Sequence, residues 1–193
     1  MNYLEKIPVP PHGTFNLGLT AANNKGMVGF FGHPVIDGKY RPDGKCTTAN
    51  SPPFKKLLAT RNVGPFALTG IKPALDAIEA IFLRVKAEQP ALYAILQTEG
   101  MLCCRFTKIK QKNGTIKIGP NVSNHSWGTA VDIKLAGSLD TQGDGFTQRG
   151  LLVLSAYFNA AGWFWGAAFP VEDAMHFEVS RSLLSRWQQS GLI

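Results

Sequence analysis

Long apolar runs are absent from this chain of 193 residues, which has no stretch of about 18 or more consecutive apolar side chains. We therefore expect no transmembrane helix. Residues 1–8 also lack the basic start and the apolar block of a secretory signal peptide. We expect the protein to be made in the cytoplasm and not to leave it by the general secretory route.

Cysteine is scarce as well. The chain has three, Cys46, Cys103 and Cys104, which are too few for a disulfide framework. Cys103 and Cys104 are neighbours, so they point to opposite sides of a strand and cannot easily pair with each other. We expect all three to be packing residues, which fits synthesis in a reducing compartment.

Charged residues make up only 17% of the chain, but their balance is basic. Lys and Arg number 20 against 13 Asp and Glu, which gives a formal net charge of +7. A basic balance favours anionic partners. The sequence contains no recognised nucleic-acid-binding motif, so we do not expect nucleic acid among them.

The chain divides by composition into two parts. Residues 1–65 are rich in Gly, Pro and Asn, which predicts an irregular arm packed on the rest of the protein. Residues 66–193 carry clear helix and strand patterns and form the predicted domain. Helices followed by short strands predict an α+β fold, a single domain in which helices flank a small antiparallel sheet.

Helices are predicted to begin at Pro73, at Pro90, at Thr147 and at about Ser182. The second is predicted to end at Gly100 and the third at Gly162. Strands are predicted around Arg105, over 131–135, over 163–165 and over 176–179, with a hairpin over 107–118. The hairpin lysines suit a solvated face, or alternatively a surface that binds a polymer. Trp163 and Trp165 suit core packing, or alternatively a cleft wall.

The first chemical motif lies at residues 123–132 and reads S-x-H-x-x-G-x-A-x-D. His125 and Asp132 are seven residues apart, which does not place them on one face of a helix. The spacing instead suits a turn that leads into a strand, with Gly128 supplying the backbone freedom for the bend. Asp132 and Lys134 then share one strand face, while Ile133 faces the other side.

The second motif lies at residues 172–178 and places His176 at the start of a strand. If this strand neighbours the first, then His125, Asp132 and His176 can converge on one metal ion. Two His and one carboxylate leave a coordination position of zinc open for water. A nearby carboxylate, either Asp173 or Glu172, can take a proton from that water, and this combination predicts hydrolysis.

The two motifs resemble those of the zinc D-alanyl-D-alanine carboxypeptidases and the phage L-alanyl-D-glutamate endolysins. These families share a fold with the Hedgehog signalling domain, and the resemblance runs from about Phe66 to the C-terminus. It implies a bacterial or phage enzyme that degrades cell walls with one Zn²⁺ ion and acts on peptidoglycan peptides. Such an enzyme would be a monomer that reaches the cell wall or periplasm after lysis or by non-classical export.

The resemblance also implies roles for individual residues. It implies that His125, Asp132 and His176 are the zinc ligands and that Asp173 is the general base. It implies that Arg105, about twenty residues before the first His, and Ser123 bind the substrate. Two interpretations of Glu178 stay open: it is either an exposed strand residue or a partner that orients a ligand His.

Two questions of function stay open at this point. The same metal site serves release of a terminal D-Ala by a carboxypeptidase and cleavage of an internal bond by an endopeptidase. The alternative from another class is a zinc-bearing cell-wall binding module without turnover, which the Hedgehog resemblance allows. Asp173 argues against that alternative, because a binding module needs no general base.

Overall fold

The computed structural model describes residues 1–111 and 113–193, so Lys112 of the predicted hairpin lies outside the described residues. The helices are α1 (Asn24–Phe31), α2 (Pro52–Lys55), α3 (Lys72–Glu88), α4 (Pro90–Tyr93), α5 (Arg149–Ala160) and α6 (Arg181–Gln189). The strands are β1 (Lys6–Pro8), β2 (Leu58–Asn62), β3 (Ala67–Ile71), β4 (Leu96–Gly100), β5 (Phe106–Lys110), β6 (Ile116–Val122), β7 (Ala130–Leu135), β8 (Phe146–Gln148), β9 (Trp163–Trp165) and β10 (His176–Val179). The predicted α+β class is confirmed.

An antiparallel sheet with the order β4-β7-β10-β9 lies at the centre of the protein. Val131, Ile133 and Phe177 of its two inner strands have no exposed surface and face the core. Asp132 lies directly opposite His176 in the register of β7 and β10. The apolar alternation of these strands thus fixes one sheet face in the core and directs both polar side chains to the other.

Helix α5 packs on the core face of this sheet, and α3 packs against α5 and against β3. The predicted apolar face of α3 is confirmed, because Leu75, Ile78 and Phe82 are fully buried. The ring of Phe158 in α5 stacks on that of Phe177 in β10 with 4.2 Å between ring centroids. Trp163 and Trp165 are also fully buried, so the core-packing interpretation of this aromatic run is confirmed.

The prediction of a helix from Pro90 to Gly100 is wrong. Helix α4 ends at Tyr93, and residues from Leu96 form the edge strand β4 beside β7. Thr98 Oγ1 donates a hydrogen bond to the Asp132 carbonyl oxygen at 2.9 Å. Short apolar runs fit helix and strand equally well, and here pairing with β7 supplies partners for the backbone.

Other predicted boundaries shift by a few residues. Thr147 lies in β8, and α5 begins after Gln148. The last helix is capped by Ser180, whose hydroxyl accepts a hydrogen bond from the Leu183 N–H. The predicted hairpin is confirmed as β5 and β6. No helix within the described residues has both the length and the apolar character to cross a membrane.

The N-terminal arm contains more regular structure than predicted and contributes to the common core. Met27, Phe54 and Val63 have no exposed surface. Strand β2 of the arm pairs with β3 of the predicted domain, with Thr60 opposite Thr69. Burial of these apolar side chains explains why a segment rich in Gly and Pro is held against the rest of the protein.

Asn16 holds the arm against β9, the edge strand of the central sheet. Its backbone has a φ of 54°, which Asn tolerates better than most residues. The Asn16 Oδ1 accepts a hydrogen bond from the Trp165 N–H at 2.8 Å, and its Nδ2 donates to the Trp165 carbonyl at 2.9 Å. Asn159 Nδ2 also donates to Asn16 Oδ1 at 2.8 Å.

A disulfide joins Cys46 in the arm to Cys103, so the prediction that all three cysteines are free packing residues is wrong for this pair. Their Cα atoms lie 5.0 Å apart, within the range that a disulfide spans. The Thr47 N–H donates to the Cys104 carbonyl at 2.8 Å and aligns the two segments. Cys104 is a buried free thiol, as predicted.

Candidate metal centre and active site

His125 is presented by a tight turn formed by residues Asn124–Trp127. The turn ends at Gly128, whose φ is +59°, and the chain then enters β7. A Cβ at Gly128 would lie 2.6 Å from the Gly70 Cα, so only glycine allows β3 to pass this closely. The predicted turn leading into a strand is confirmed.

Three potential metal-ligand atoms lie close together where the turn meets the facing strands β7 and β10. They belong to His125, Asp132 and His176. His125 Nε2 lies 3.2 Å from both Asp132 Oδ1 and His176 Nδ1. His176 Nδ1 lies 2.9 Å from Asp132 Oδ1. All three donor atoms lie within 4.8 Å of one another, so this group can hold a metal ion.

The two imidazoles are fixed through their other nitrogens. His125 Nδ1 lies 2.9 Å from the Met101 carbonyl oxygen, and this geometry leaves Nε2 facing the cluster. His176 Nε2 lies 3.1 Å from Glu178 Oε2, which leaves Nδ1 facing Asp132. Hydrogen bonds of this kind orient ligand imidazoles in metal sites. Glu178 is only 3% exposed, so the alternative of an exposed strand residue is wrong.

The cluster is strongly coupled electrostatically. Burial opposes ionisation of Asp132, but His125 and His176 outweigh it and hold the pKa of this carboxyl below its ordinary value. Burial opposes protonation of His176, but hydrogen bonds to Asp132 and Glu178 outweigh it and raise the pKa of this imidazole well above its ordinary value. Asp132 is therefore an anion facing two imidazoles, as a cation site with these donors requires.

Asp173 lies on the loop that enters β10, next to the cluster. Its Oδ2 accepts a hydrogen bond from Gln142 Nε2 at 3.1 Å. Its Oδ1 is buried and has no hydrogen-bond partner among the described residues. Burial raises the pKa of this carboxyl, and the charge of Asp132 raises it further, while His176 acts in the opposite direction.

Glu172, the alternative base, is engaged elsewhere. Its Oε1 accepts hydrogen bonds from the backbone N–H groups of Asp144 and Gly145 at 2.7 and 3.0 Å. It does not line the cleft that contains the cluster, whereas Asp173 does. Of the two carboxylates, Asp173 is therefore the one within reach of a molecule bound in this cleft.

Gln142 is a site residue that the sequence interpretation missed. It lies in the polar turn at residues 140–145, and its backbone carbonyl accepts a hydrogen bond from Lys110 Nζ. Its side chain reaches Asp173, 31 residues further along the chain. Such a long-range contact leaves no local pattern, so nothing in the sequence distinguishes Gln142 from other loop residues.

Arg105 and Ser123 line the same cleft as the cluster. Arg105 lies directly before β5, and its Nη1 donates to the Phe106 carbonyl at 3.1 Å. Burial lowers the pKa of its guanidinium, and the charges of Asp132 and Asp173 counteract this effect. Ser123 is 7% exposed, and its hydroxyl makes no hydrogen bond within residues 1–111 and 113–193.

The cleft above the cluster has a volume of about 640 Å³. Its walls are formed by residues 21–24 of the arm, by the hairpin of β5 and β6, and by residues 169–171. The buried Trp163 and Trp165 are not among its lining residues. A volume of this size is typical of clefts that bind a drug-sized ligand.

The family model for D-alanyl-D-alanine carboxypeptidases matches residues 117–179. The resemblance expected from the two motifs is thereby confirmed over this segment. A match to a peptidase family suggests a hydrolase. No curated protein and no solved structure matches the chain.

The matched segment contains the metal cluster and Asp173 but not every residue that shapes them. Met101, which orients His125, and Arg105 both precede it. The disulfide partner Cys103 lies between these two residues. The surroundings of the cluster are thus built partly from the chain outside the family match.

Proposed function

We propose that this protein is a zinc-dependent peptidase that hydrolyses the stem peptides of peptidoglycan. The observation that supports this most directly is Asp173, a partly buried carboxylate beside a two-His, one-Asp cluster, with one oxygen that has no partner among the described residues. The match to a carboxypeptidase family over the same segment supports it independently. We propose that the chain acts as a monomer with the fold shared by Hedgehog domains and D-Ala-D-Ala peptidases.

The donor set fits one zinc ion. His125, Asp132 and His176 offer two imidazole nitrogens and one carboxylate oxygen, a donor set typical of catalytic zinc with an open position. The hydrogen bonds to Met101 and Glu178 leave the correct nitrogen of each imidazole facing the cluster. When bound there, zinc would act as a Lewis acid and make water more acidic.

The side chains around the cluster supply the remaining steps of hydrolysis. Asp173 takes a proton from water as the water oxygen forms a bond to the scissile carbonyl carbon. The C–N bond then breaks, and Asp173 transfers the proton to the leaving amine. Arg105, a cation near both Asp132 and Asp173, stabilises negative charge on the carbonyl oxygen. The products are a new carboxylate and a free amine, without a covalent intermediate.

Substrate binding is assigned to the cleft walls. Ser123 offers a hydroxyl without a partner among the described residues, and Arg105 offers a guanidinium to a substrate carbonyl or carboxylate. Lys108 and Lys110 add positive charge on the hairpin wall. Peptidoglycan is rich in carboxylates, so a cationic wall and the net charge of +7 are complementary to it.

The site of action follows from substrate and redox chemistry together. Peptidoglycan lies outside the cytoplasm, so we propose action on the cell wall or in the periplasm after lysis or non-classical export. The Cys46–Cys103 disulfide supports an oxidising site of action, because cytosolic thiols are usually kept reduced. The disulfide revises the expectation that all three cysteines are packing residues that fit synthesis in a reducing compartment.

Digestion of muropeptides by zinc-loaded protein, followed by mass spectrometry, tests the proposal. The wild type should release peptide products, and Asp173→Ala should slow their release by about 10²–10⁴-fold while retaining zinc. Glu172→Gln is the matched control, because a glutamine oxygen can still accept the loop hydrogen bonds; it should stay within about tenfold of the wild type. Zinc-loaded protein that never forms an Asp173-dependent product would instead indicate a binding module.

A further inference from the structure

Asn124 lies directly before His125, and its side chain bonds outside its own turn. Asparagine in a turn commonly hydrogen-bonds to the backbone a few residues away. Asn124 Nδ2 instead donates to the Ala22 carbonyl at 3.1 Å and to Glu178 Oε2 at 2.9 Å, on residues that are 102 and 54 positions away in the sequence. The side chain therefore joins the N-terminal arm to strand β10.

The Glu178 oxygen that accepts from Asn124 is the same oxygen that faces His176. Glu178 Oε2 lies 2.9 Å from Asn124 Nδ2 and 3.1 Å from His176 Nε2. Glu178 is among the most deeply buried polar residues, so these two contacts determine where its carboxylate lies. A chain of hydrogen bonds thus runs from Ala22 through Asn124 and Glu178 to a proposed metal ligand.

The orientation of the Asn124 amide follows from its neighbours. Both atoms that face Nδ2 are acceptors, a carbonyl oxygen and a carboxylate oxygen, so a flipped amide would lose both hydrogen bonds. In the observed orientation Oδ1 is buried and has no partner among the described residues. An unpaired buried oxygen is destabilising, and proteins retain such groups mainly at functional sites. The two hydrogen bonds of Nδ2 therefore indicate a role in the site.

The arm segment around Ala22 is itself fixed on both sides. Ala21 forms a β-bridge with Ser180, directly after β10. The Asn24 side chain accepts from the Val122 N–H at 2.6 Å and donates to the Val122 carbonyl at 2.7 Å, at the end of β6. The Ala22 carbonyl is therefore a fixed acceptor rather than part of a loose arm.

We infer that Asn124 is a positioning residue of the metal centre, which holds Glu178 against His176 and links the N-terminal arm to the site. The inference rests on the proposed function, in that the site binds zinc. A ligand imidazole binds metal more tightly when a carboxylate holds its other nitrogen. Asn124 contributes by keeping that carboxylate in place. The metal centre then depends on the arm, which lies outside the matched residues 117–179.

Zinc affinity of single and double variants tests the inference without a substrate. Asn124→Ala should lower the affinity by about three- to tenfold, less than Glu178→Ala, because the carboxylate remains but is no longer held. In a Glu178→Ala background the same substitution should have no further effect, because Asn124 acts through Glu178. Competition with a chromogenic chelator measures all three variants. The absorption spectrum of bound Co²⁺, which reports ligand geometry, should change in Asn124→Ala.

Asn23→Ala is the matched control in the arm. The Asn23 side chain caps α1 by accepting from the Gly26 N–H at 2.8 Å. Its loss should lower the melting temperature and leave zinc affinity and the Co²⁺ spectrum unchanged. A merely structural role of Asn124 would give this same pattern. If Asn124→Ala does not fold, Asn124→Ser provides the same comparison, because serine suits a turn and its side chain is one bond shorter.

The outcomes separate this inference from the proposed function. A loss of zinc affinity in Asn124→Ala that disappears in the Glu178→Ala background would support the inference. A lower melting temperature with unchanged zinc affinity would overturn it, and so would equal losses of affinity in both backgrounds. Wild-type protein that binds no zinc would overturn both proposals, whereas zinc binding without any Asp173-dependent product would overturn the proposed function alone.

Discussion

His176 Nδ1 and Asp132 Oδ1 lie 2.9 Å apart, on residues directly opposite each other in β10 and β7. Backbone hydrogen bonds of the two strands therefore set the distance between these proposed ligands before any ion binds. His125 completes the cluster from a turn fixed by Gly128. A site preorganised in this way loses little conformational entropy on binding metal.

Orientation of His176 by Glu178 should affect metal affinity. Glu178→Ala removes the oxygen that lies 3.1 Å from His176 Nε2, so we expect zinc affinity to fall by about 10–100-fold. Glu178→Gln keeps an accepting oxygen and should lose less. Competition with a chromogenic chelator measures both variants against Glu172→Gln as a control. An unchanged affinity in Glu178→Ala would show that Met101 and the strand register alone orient the site.

Gln142 should affect turnover rather than metal binding. Its hydrogen bond to Asp173 Oδ2 orients the proposed base, so Gln142→Ala should lower kcat by about tenfold and leave KM and zinc affinity nearly unchanged. Steady-state kinetics and metal titration separate these quantities. Gln97→Ala, an exposed substitution on β4, is the control. A purely structural role for Gln142 would instead appear as a lower melting temperature with normal kcat.

The disulfide should stabilise the protein. Cys46 and Cys103 are 57 residues apart in sequence, and closing such a loop typically contributes about 2–4 kcal/mol to the free energy of unfolding. A Cys46→Ser, Cys103→Ser double variant should melt at a lower temperature and no longer respond to a reductant. Cys104→Ala should keep the response of the wild type. Equal melting of oxidised and reduced wild type would contradict this prediction.

Asp140 should make stability depend on pH. Burial, followed by the charge of Asp144, raises the pKa of this carboxyl to about 6 from its ordinary value of 3.8. The folded state then binds more protons than the unfolded state between these values, so stability falls as pH rises from about 4 to 6. Above pH 6 the loss is complete.

Asp140→Asn cannot ionise, so it should be more stable than the wild type by about 1–3 kcal/mol at pH 8 and show no such gain at pH 4. Urea unfolding at both pH values measures the difference. Asp37→Asn, at an exposed position, should parallel the wild type throughout. A gain that is equal at both pH values would mean that ionisation of Asp140 is not the cause.

The metal cluster could be predicted from the sequence because short segments of the chain carry the patterns that identify its residues. His125 and Asp132 belong to one short motif, and the alternation of β7 and β10 tells which side chains share a face. The strand at Leu96 could not be predicted in the same way, because its apolar pattern also fits a helix. Pairing with β7 decides between the two, and that pairing is a tertiary property.

Contacts between distant segments account for the other omissions. Cys46 and Cys103 come together only when the arm folds onto the domain, and Gln142 reaches Asp173 only through the path of its loop. Glu178 could be predicted only in part. The alternation of β10 places it on the same strand face as His176, but its burial could not be predicted. Side chains that surround a site are thus harder to predict than those that form it.

Asn16 has a consequence far from the metal centre. Its amide occupies the outer edge of β9 as a neighbouring peptide group would, donating to and accepting from Trp165. Open strand edges pair readily with other copies of a protein, which leads to aggregation. Loss of the Asn16 side chain would expose such an edge. The arm therefore contributes to the resistance of the protein to aggregation as well as to its folding.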